Sequence, residues 1–285
     1  MPVHTPVYLD QVLETLNIQK GQYFIDATAG EGGHIAGIIK QGGVVLGIDW
    51  DPSQIEKLNI KFQENKNVKL VCGNYADIAT IATKEGFDQV DGVLVDLGLS
   101  MAQIFFAGRG FSFKKLDEPL DMRIGKIESQ TASDILNSYS YQELSDLFSS
   151  YGEELLSDDV AREVVSYRER KIFSTVEDLV KTLHTVIKTK TQTHEVQFEK
   201  MASRIFQALR IAVNKEFENI KLCLEESLKI IKKGGKLIFI SFHSREDRII
   251  KQFVRLHQLK IIKPDLNRSD KRSFERSAML RIVQL

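Results

Sequence analysis

Two short segments near the N-terminus constrain the fold more than any other part of the chain. Residues 24–34 read FIDATAGEGGH, and residues 44–49 read VVLGID. A buried apolar run, a glycine turn that opens a helix and a second apolar run ending in a carboxylate are typical of parallel strands around a nucleoside pocket. The sequence therefore predicts an α/β sheet whose ligand lies between the glycine turn and Asp49.

The residues of this pocket favour a cationic ligand over a diphosphate. The dinucleotide fingerprint needs a third glycine, and here Gly32-Gly33 is followed by His34, Ile35 and Ala36. Asp26 at the end of the first strand would repel a pyrophosphate and attract positive charge. S-adenosylmethionine, which carries an ammonium, a sulfonium and no phosphate, is therefore favoured over NAD. A glycine turn that serves only chain geometry is the alternative.

Asp49 ends the second strand, where a ligand's sugar is expected. A carboxylate has about four lone-pair sites, so it suits the two hydroxyls of a ribose. We therefore predict that Asp49 accepts hydrogen bonds from both.

Composition narrows the class of protein. The chain has 285 residues, and its 39 Lys and Arg balance its 39 Asp and Glu, so overall charge indicates no polyanion partner. Cys72 and Cys223 lie too far apart for a zinc ribbon, and the sequence contains no His-x-x-x-His pair. There is no apolar run of roughly 18 residues. We therefore expect a cytoplasmic protein that needs no metal and does not enter a membrane.

Strand and helix patterns alternate over the first hundred residues and return near the C-terminus. The predicted strands are 23–26, 44–49, 68–72, 90–97, 236–242 and 278–283. The predicted helices around them are 6–16, 34–40, 52–63, 77–84, 204–232 (ended by Gly234-Gly235) and 245–257. This alternation predicts a doubly wound, mostly parallel sheet.

Between these two parts the alternation stops. Helical patterns at 132–138, 142–151, 158–168 and 176–187 occur there without a convincing strand. We predict a sheet domain formed by residues 1–100 and 206–285, interrupted by an all-helical domain at 101–205. Because the interruption follows the fourth strand, where such sheets bind ligands, the helical domain is a candidate for substrate recognition.

Polar residues follow the fourth strand. Asp96, Ser100 and Gln103 offer acceptors and donors at the ligand edge, with capping of a nearby turn as the alternative for Asp96. Further along, Arg109 and Arg123 are interleaved with phenylalanines. That pattern is typical either of stacking on single-stranded nucleic acid or of an ordinary core.

Blocks along nearly the whole chain resemble the bacterial small-subunit ribosomal RNA (cytosine-N4)-methyltransferase family, the MraW-like or H group. In chain order the matching blocks are His4-Thr5-Pro6-Val7, Asp26-Ala27-Thr28-Ala29-Gly30-Glu31-Gly32-Gly33-His34, Gly47-Ile48-Asp49-Trp50-Asp51-Pro52, Asp96-Leu97-Gly98-Leu99-Ser100, Arg109-Gly110-Phe111-Ser112-Phe113, Pro119-Leu120-Asp121-Met122-Arg123, Tyr151-Gly152-Glu153-Glu154, Phe206-Gln207-Ala208-Leu209-Arg210, Ser241-Phe242-His243-Ser244, Glu246-Asp247-Arg248 and Arg276-Ser277-Ala278.

The resemblance implies a class I, Rossmann-like S-adenosylmethionine methyltransferase with an inserted helical domain. It implies N4-methylation of a cytidine in the decoding region of 16S rRNA, so the expected partner is small-subunit rRNA; a homodimer is left open. Cofactor contacts carried over to matching positions are Gly32, Gly33, His34, Asp49, Tyr75, Asp96 and Gln103.

Catalysis is assigned to residues near the carboxyl ends of strands. Asp96 and Ser100 are candidates to hold the N–H groups of the target amine. His243 either orients the base, takes up the proton or serves as a structural hydrogen-bond partner.

Arginines are the candidates for RNA phosphate or cofactor-carboxylate contacts, with structural ion pairs as the alternative. They are Arg109, Arg123, Arg204 and Arg210. Departures from the family pattern affect the loop after the fourth strand and hence how the base is held. The departing residues are Met101, Ala102, Phe105, Phe106, Arg245, Met201 and Ser203.

Three rival functions stay open on sequence alone. An NAD(P)-dependent oxidoreductase shares the sheet, and a non-catalytic RNA-binding assembly factor would tolerate Met101, Phe105 and Phe106. A methyltransferase acting on DNA, protein or a metabolite would have the same architecture.

Overall fold

The chain forms two compact units, each with its own core. The computed structural model describes residues 6–99, 103–104, 107–125, 130–190, 194–262 and 278–285. One unit comprises Met1–Gly98 and Phe217–Leu285, and the other comprises Leu99–Glu216. The predicted boundary at residue 206 falls inside a helix that continues to Asn214, and the division between units follows that helix.

The first unit is built on one mixed sheet. Its strands are β1 (Tyr23–Asp26), β2 (Val44–Asp49), β3 (Val68–Cys72), β4 (Val90–Asp96), β5 (Ile231–Ser241), β6 (Lys260–Ile262) and β7 (Met279–Gln284). They lie in the order β3-β2-β1-β4-β5-β7-β6. The first five are parallel, and β7 runs antiparallel to both β5 and β6. The predicted α/β sheet is confirmed, and the pattern missed β6, which has only 3 residues.

Helices lie around this sheet and make up the second unit. In chain order they are α1 (Leu9–Leu16), α2 (Gly33–Lys40), α3 (Pro52–Phe62), α4 (Ile78–Glu85), α5 (Ala132–Ser138), α6 (Tyr141–Gly152), α7 (Ser157–Arg168), α8 (Val176–Lys190), α9 (His194–Asn214), α10 (Glu216–Ile230) and α11 (Ser244–Leu256). Helices α5 to α9 belong to the second unit. Among the described helices, none has the length and apolar character required to cross a bilayer.

The central strands are apolar because helices cover both faces of a parallel sheet. Phe24 and Ile25 of β1, Leu46 of β2 and Val93 and Leu94 of β4 are all buried. Burying such side chains stabilises the fold by roughly 1.5–3 kcal/mol each. The carboxyl ends of these strands are therefore held rigidly.

Each of three neighbouring strands, β2, β1 and β4, ends in an aspartate. In the register of the sheet, Asp26 lies opposite Gly47 of β2, Asp49 opposite Cys72 of β3, and Asp96 opposite Ile240 of β5. Since the three strands are parallel neighbours, all three carboxyl groups lie at one edge of the sheet. This is the edge at which doubly wound sheets bind ligands.

The helical unit is stabilised by caps and by an apolar core. Thr131 and Asp134 form a capping box at the start of α5, and Ser140 forms one with Glu143 at the start of α6. Each cap is worth about 1 kcal/mol. The core of the unit includes Leu120, Met122, Phe148, Val164, Phe173, Leu179, Leu183, Ile205 and Leu209.

The predicted helix over residues 204–232 is wrong in two respects. The structure ends α9 at Asn214, places Lys215 in the left-handed region with φ 49°, and then begins α10. Strand β5 already begins at Ile231, and Gly234, with φ 85°, lies within it. The pairing register between β5 and β4 shifts at this point. The glycines permit an irregular turn of the backbone, and this turn is part of the strand rather than the end of a helix.

Candidate active site

The loop after β1 is fixed by the strands on either side. The Ala27 N–H donates to the Leu94 carbonyl at 2.9 Å, and the Ala29 N–H donates to the Ile48 carbonyl at 2.8 Å. The backbone N–H of Asp96 donates to the Thr28 hydroxyl at 2.7 Å. These bonds continue the sheet beyond its strands, so the glycine turn starts from a defined position.

Close packing explains why two positions of the turn are glycine. Gly32, the N-cap of α2, has φ 72°, and a Cβ there would lie 2.6 Å from Leu58 Cδ2. A Cβ on Gly33 would lie 2.1 Å from Pro6 Cγ. No side chain fits at either position without moving its neighbours. The two glycines thus let Leu58 and Pro6 pack directly against the backbone at the start of α2.

Asp49 braces the same turn. Its Oδ2 accepts the Gly30 N–H at 2.7 Å, and its Oδ1 accepts the Asp51 N–H at 2.8 Å. Burial raises the pKa of Asp49 to about 6, against the lowering effect of these two hydrogen bonds. Each oxygen keeps a second lone pair, so the carboxylate is still able to accept from a diol.

Asp26 is a second buried carboxyl at this edge. It is 1% exposed, and its Oδ1 accepts the Thr28 N–H at 3.3 Å. Burial and the charge of Asp49 together raise the pKa of Asp26 to about 7, against the lowering effect of the Thr28 hydrogen bond. A carboxyl with so few donors is stabilised as an anion by a nearby cation.

Asp96 is the least satisfied of the three. Among the described residues, its buried Oδ1 has no hydrogen-bond partner. Burial and the neighbouring charges of Asp26 and Glu246 raise the pKa of Asp96 well above its usual range. A buried acceptor without a donor is costly in a folded protein, so this atom indicates a site for an N–H-bearing or cationic ligand.

His243 caps α11. Its Nδ1 accepts the Glu246 N–H at 3.4 Å, which makes Nε2 the protonated nitrogen of the neutral ring. Glu246 Oε2 in turn accepts the backbone N–H groups of Phe242 and His243 at 2.8 and 3.3 Å. His243 is therefore a structural hydrogen-bond partner, one of the three roles considered for it. A direct role toward the target base stays a prediction.

The remaining predicted cofactor residues of the sheet unit lie around the same strands. Tyr75 is half-buried and opens a short 3-10 turn after β3, which Asn74 caps by accepting the Ala76 N–H at 2.9 Å. His34 is buried, with Nε2 3.1 Å from the Val7 carbonyl. The His34 ring is thus engaged with the N-terminal segment, and any cofactor contact falls to its backbone.

A sequence profile of the MraW methylase family matches residues 1–283. The chain belongs to the MraW methylase family. It is 38% identical to the ribosomal RNA small subunit methyltransferase H of Coprothermobacter proteolyticus, over 99% of this chain and 95% of that relative. The protein of the same name from Dictyoglomus thermophilum is also 38% identical, over 98% and 96% of the two chains. The chain is accordingly a methyltransferase, and S-adenosylmethionine is its cofactor.

A solved rRNA methylase from Streptococcus thermophilus aligns over 100% of this chain and 98% of its own, with 9% identity and a TM-score of 0.43. An archaeal fibrillarin from Aeropyrum pernix with bound S-adenosyl-L-methionine aligns at 9% identity and a TM-score of 0.42, over 93% and 67% of the two chains.

In this methylase the four arginines predicted to contact RNA belong to the helical unit, and each has a partner there. Arg109 donates to the Ile124 carbonyl at 2.7 Å. Arg123 and Arg210 form two-point ion pairs, with Asp121 and Glu216 respectively. Arg204 Nη1 lies 3.5 Å from Glu154 Oε2, and its side chain is 45% exposed. Of the three arginines in ion pairs, Arg204 is the one most available to a phosphate.

Several predicted site residues lie outside the residues that the structure describes, and Gln103 lies next to them in the chain. Gln103 is buried within the helical unit. Ser100, Met101, Ala102, Phe105 and Phe106 lie outside the described residues, as do Arg276 and Ser277. The predictions made for them therefore stay predictions.

Two contributors to the site were not assigned roles from sequence. Thr28 accepts the Asp96 N–H, and Glu246 joins the carboxyls near Asp96 while capping α11. A capping box was visible in principle, since Glu246 stands three residues after the N-cap position. The bond from Thr28 to β4 was not, because it joins segments distant in sequence.

Proposed function

We propose that this methylase transfers a methyl group from S-adenosylmethionine to the N4 amine of a cytidine in the decoding region of 16S rRNA. The names of its relatives support an rRNA substrate of the small subunit. The structural observation that carries the proposal is a group of three carboxyls at one sheet edge: Asp26 and Asp49, which are buried, and Asp96, whose Oδ1 atom is buried.

This group fits the charge of the cofactor. A cationic ligand stabilises the anionic forms of Asp26 and Asp96 and offsets their mutual repulsion. Asp49, with a free lone pair on each oxygen, suits the ribose hydroxyls. Gly32, Gly33 and the backbone of His34 would line the amino-acid end, and Tyr75 would stack on the adenine.

Chemistry at the target amine needs acceptors more than a strong base. Bound S-adenosylmethionine supplies an electrophilic methyl carbon whose bond to sulfur breaks with the electron pair going to sulfur. The cytosine N4 lone pair is delocalised into the ring, so it becomes nucleophilic when its N–H groups are held and the nitrogen pyramidalises. Asp96 Oδ1 is buried and receives no hydrogen bond from any described residue, so it is suited to accept one N–H and then the proton released. Ser100 is the proposed second acceptor.

Positioning of the two reactants also lowers the activation barrier of methyl transfer. Holding the amine and the methyl carbon in line is worth up to roughly 7–11 kcal/mol. Because a stacked base cannot reach a buried carboxyl, the target must be unstacked or lie in a loop. The helical unit, with Arg204 exposed, is proposed to grip the surrounding RNA.

Methyl transfer to purified small subunits tests the proposal. Labelled S-adenosylmethionine is expected to mark 16S rRNA, and nucleoside digestion is expected to yield N4-methylcytidine. Label in another nucleoside would contradict the substrate assignment.

A further inference from the structure

Both ends of helix α3 contact residues of the candidate cofactor site. At the first end Asp51 caps the helix, and its backbone N–H donates to Asp49 Oδ1 at 2.8 Å. At the other end Leu58 and Phe62 fill the space beside Gly32, 2.6 and 2.7 Å from where a Cβ would lie. The helix therefore connects Asp49, the carboxylate proposed to bind the ribose, to the glycine turn.

Lys61 adds a polar contact at this second end. Its Nζ donates to the Glu31 carbonyl at 2.6 Å and lies 3.5 Å from the Gly32 carbonyl. The same ammonium lies 5.2 Å from the centroid of the Phe62 ring, a cation–π distance. Lys61 thus holds the Glu31 carbonyl and adds a longer contact to the Gly32 carbonyl, which also accepts the Ala36 N–H of α2 at 3.1 Å.

Holding these carbonyls determines where the opposite N–H groups point. In a trans peptide the N–H is directed away from the C=O. The Gly32 N–H is accordingly turned inward, to the Ala29 carbonyl at 2.7 Å. The Gly33 N–H, on the next peptide, belongs to the first turn of α2, whose N–H groups have no acceptor within the helix. Those groups carry the positive end of the helix dipole.

We propose that Lys61 is a positioning residue for S-adenosylmethionine binding. It holds the Glu31 and Gly32 carbonyls on the α3 side, so that the N-terminus of α2 stays directed at the carboxylate of the cofactor. This inference rests on the proposed function, in which the glycine turn binds the amino-acid end. Lys61 itself touches no reacting atom, and its effect passes through the backbone.

Lys61→Met tests this role, because methionine keeps an apolar stem against Phe62 and removes the donor. Calorimetry with S-adenosylmethionine is expected to give a dissociation constant about fivefold higher, as for one lost hydrogen bond. Turnover at saturating cofactor and KM for small-subunit rRNA are expected to be unchanged. Lys61→Arg, which restores a donor, is expected to recover most of the affinity. Lys57→Met is the matched control, since Lys57 is exposed on the same helix.

Two results would overturn the inference. One is an unchanged dissociation constant in Lys61→Met. The other is a weaker affinity that Lys61→Arg does not restore and that is accompanied by a lower melting temperature without cofactor, because that pattern marks a lysine needed only for the stability of the fold. Wild-type protein that bound no S-adenosylmethionine would overturn the proposed function as well, so the two failures are distinguishable.

Discussion

Buried aspartates occur in both units, and their surroundings differ. Asp178 in the helical unit accepts from Lys171 Nζ at 2.6 Å, the Tyr167 hydroxyl at 2.8 Å, and the backbone N–H groups of Ser174 and Thr175 at 3.1 and 3.0 Å. Burial alone would raise its pKa, but these donors hold the pKa of Asp178 well below its usual range.

At the edge of the sheet the balance is reversed. Within the described part of the chain, the buried Oδ1 of Asp96 has no hydrogen-bond partner, and burial raises the pKa of Asp96. The difference teaches that burial alone does not mark a functional carboxyl. A carboxyl surrounded by donors stabilises the fold, whereas one that lacks donors retains the capacity to bind a ligand.

Replacing Asp178 should produce the largest change in stability. Asp178→Ala leaves several donors unsatisfied, so we expect the free energy of unfolding to fall by about 3–5 kcal/mol. Urea unfolding measures this change, with the exposed Asp117→Ala as a surface control. Affinity for S-adenosylmethionine is expected to stay normal under folded conditions, and a marked loss of affinity would break the proposed contrast.

Replacing Asp49 should produce the largest change in cofactor binding. Asp49→Ala removes the proposed ribose acceptors and the brace on Gly30, and we expect binding of S-adenosylmethionine to weaken by about 2–4 kcal/mol. Isothermal calorimetry measures the change. An unaltered dissociation constant would remove Asp49 from the ribose role.

Replacing Asp96 should affect turnover rather than folding. Asp96→Asn removes the proposed proton acceptor, so methyl transfer to small subunits is expected to slow by about 100-fold. Because no described residue donates to Asp96 Oδ1, the melting temperature without cofactor should not fall. A normal rate in this variant would exclude Asp96 as the acceptor.

The smallest expected effect is a dependence on pH. A rise in pH is expected to strengthen cofactor binding and to lower the stability of the cofactor-free protein. The cofactor cation favours ionised carboxyls, so with the pKa of Asp26 about 7 and that of Asp49 about 6, affinity should rise about five- to tenfold from pH 6 to 7. In the cofactor-free protein these raised values mean that the folded state binds more protons than the unfolded state. Their contribution to stability is therefore lost as pH rises from about 4 to about 7.

Titration calorimetry and thermal melts across this pH range check both signs. Asp26→Asn should flatten most of the affinity change. If that variant kept the full pH dependence, the Asp26 carboxyl would not be the group that titrates.

Local patterns determined much of the fold in advance. The apolar runs of β1, β2 and β4 and the cap Ser140 were predictable because period, capping and burial act over a few residues. The end of α9 and the glycines inside β5 were not, because a left-handed Lys215 and a register shift against β4 depend on distant neighbours.

By itself the sequence determined the family, the cofactor and the aspartates that end three strands, since these depend on residue type and order. Only the tertiary structure decided that Pro6 and Leu58 exclude side chains from Gly33 and Gly32, and that Lys61 reaches back to the Glu31 carbonyl. It also decided which buried aspartates receive donors. The physical reason is that donors and steric limits come from whichever segments the fold brings together, and spacing along the chain does not specify those distances.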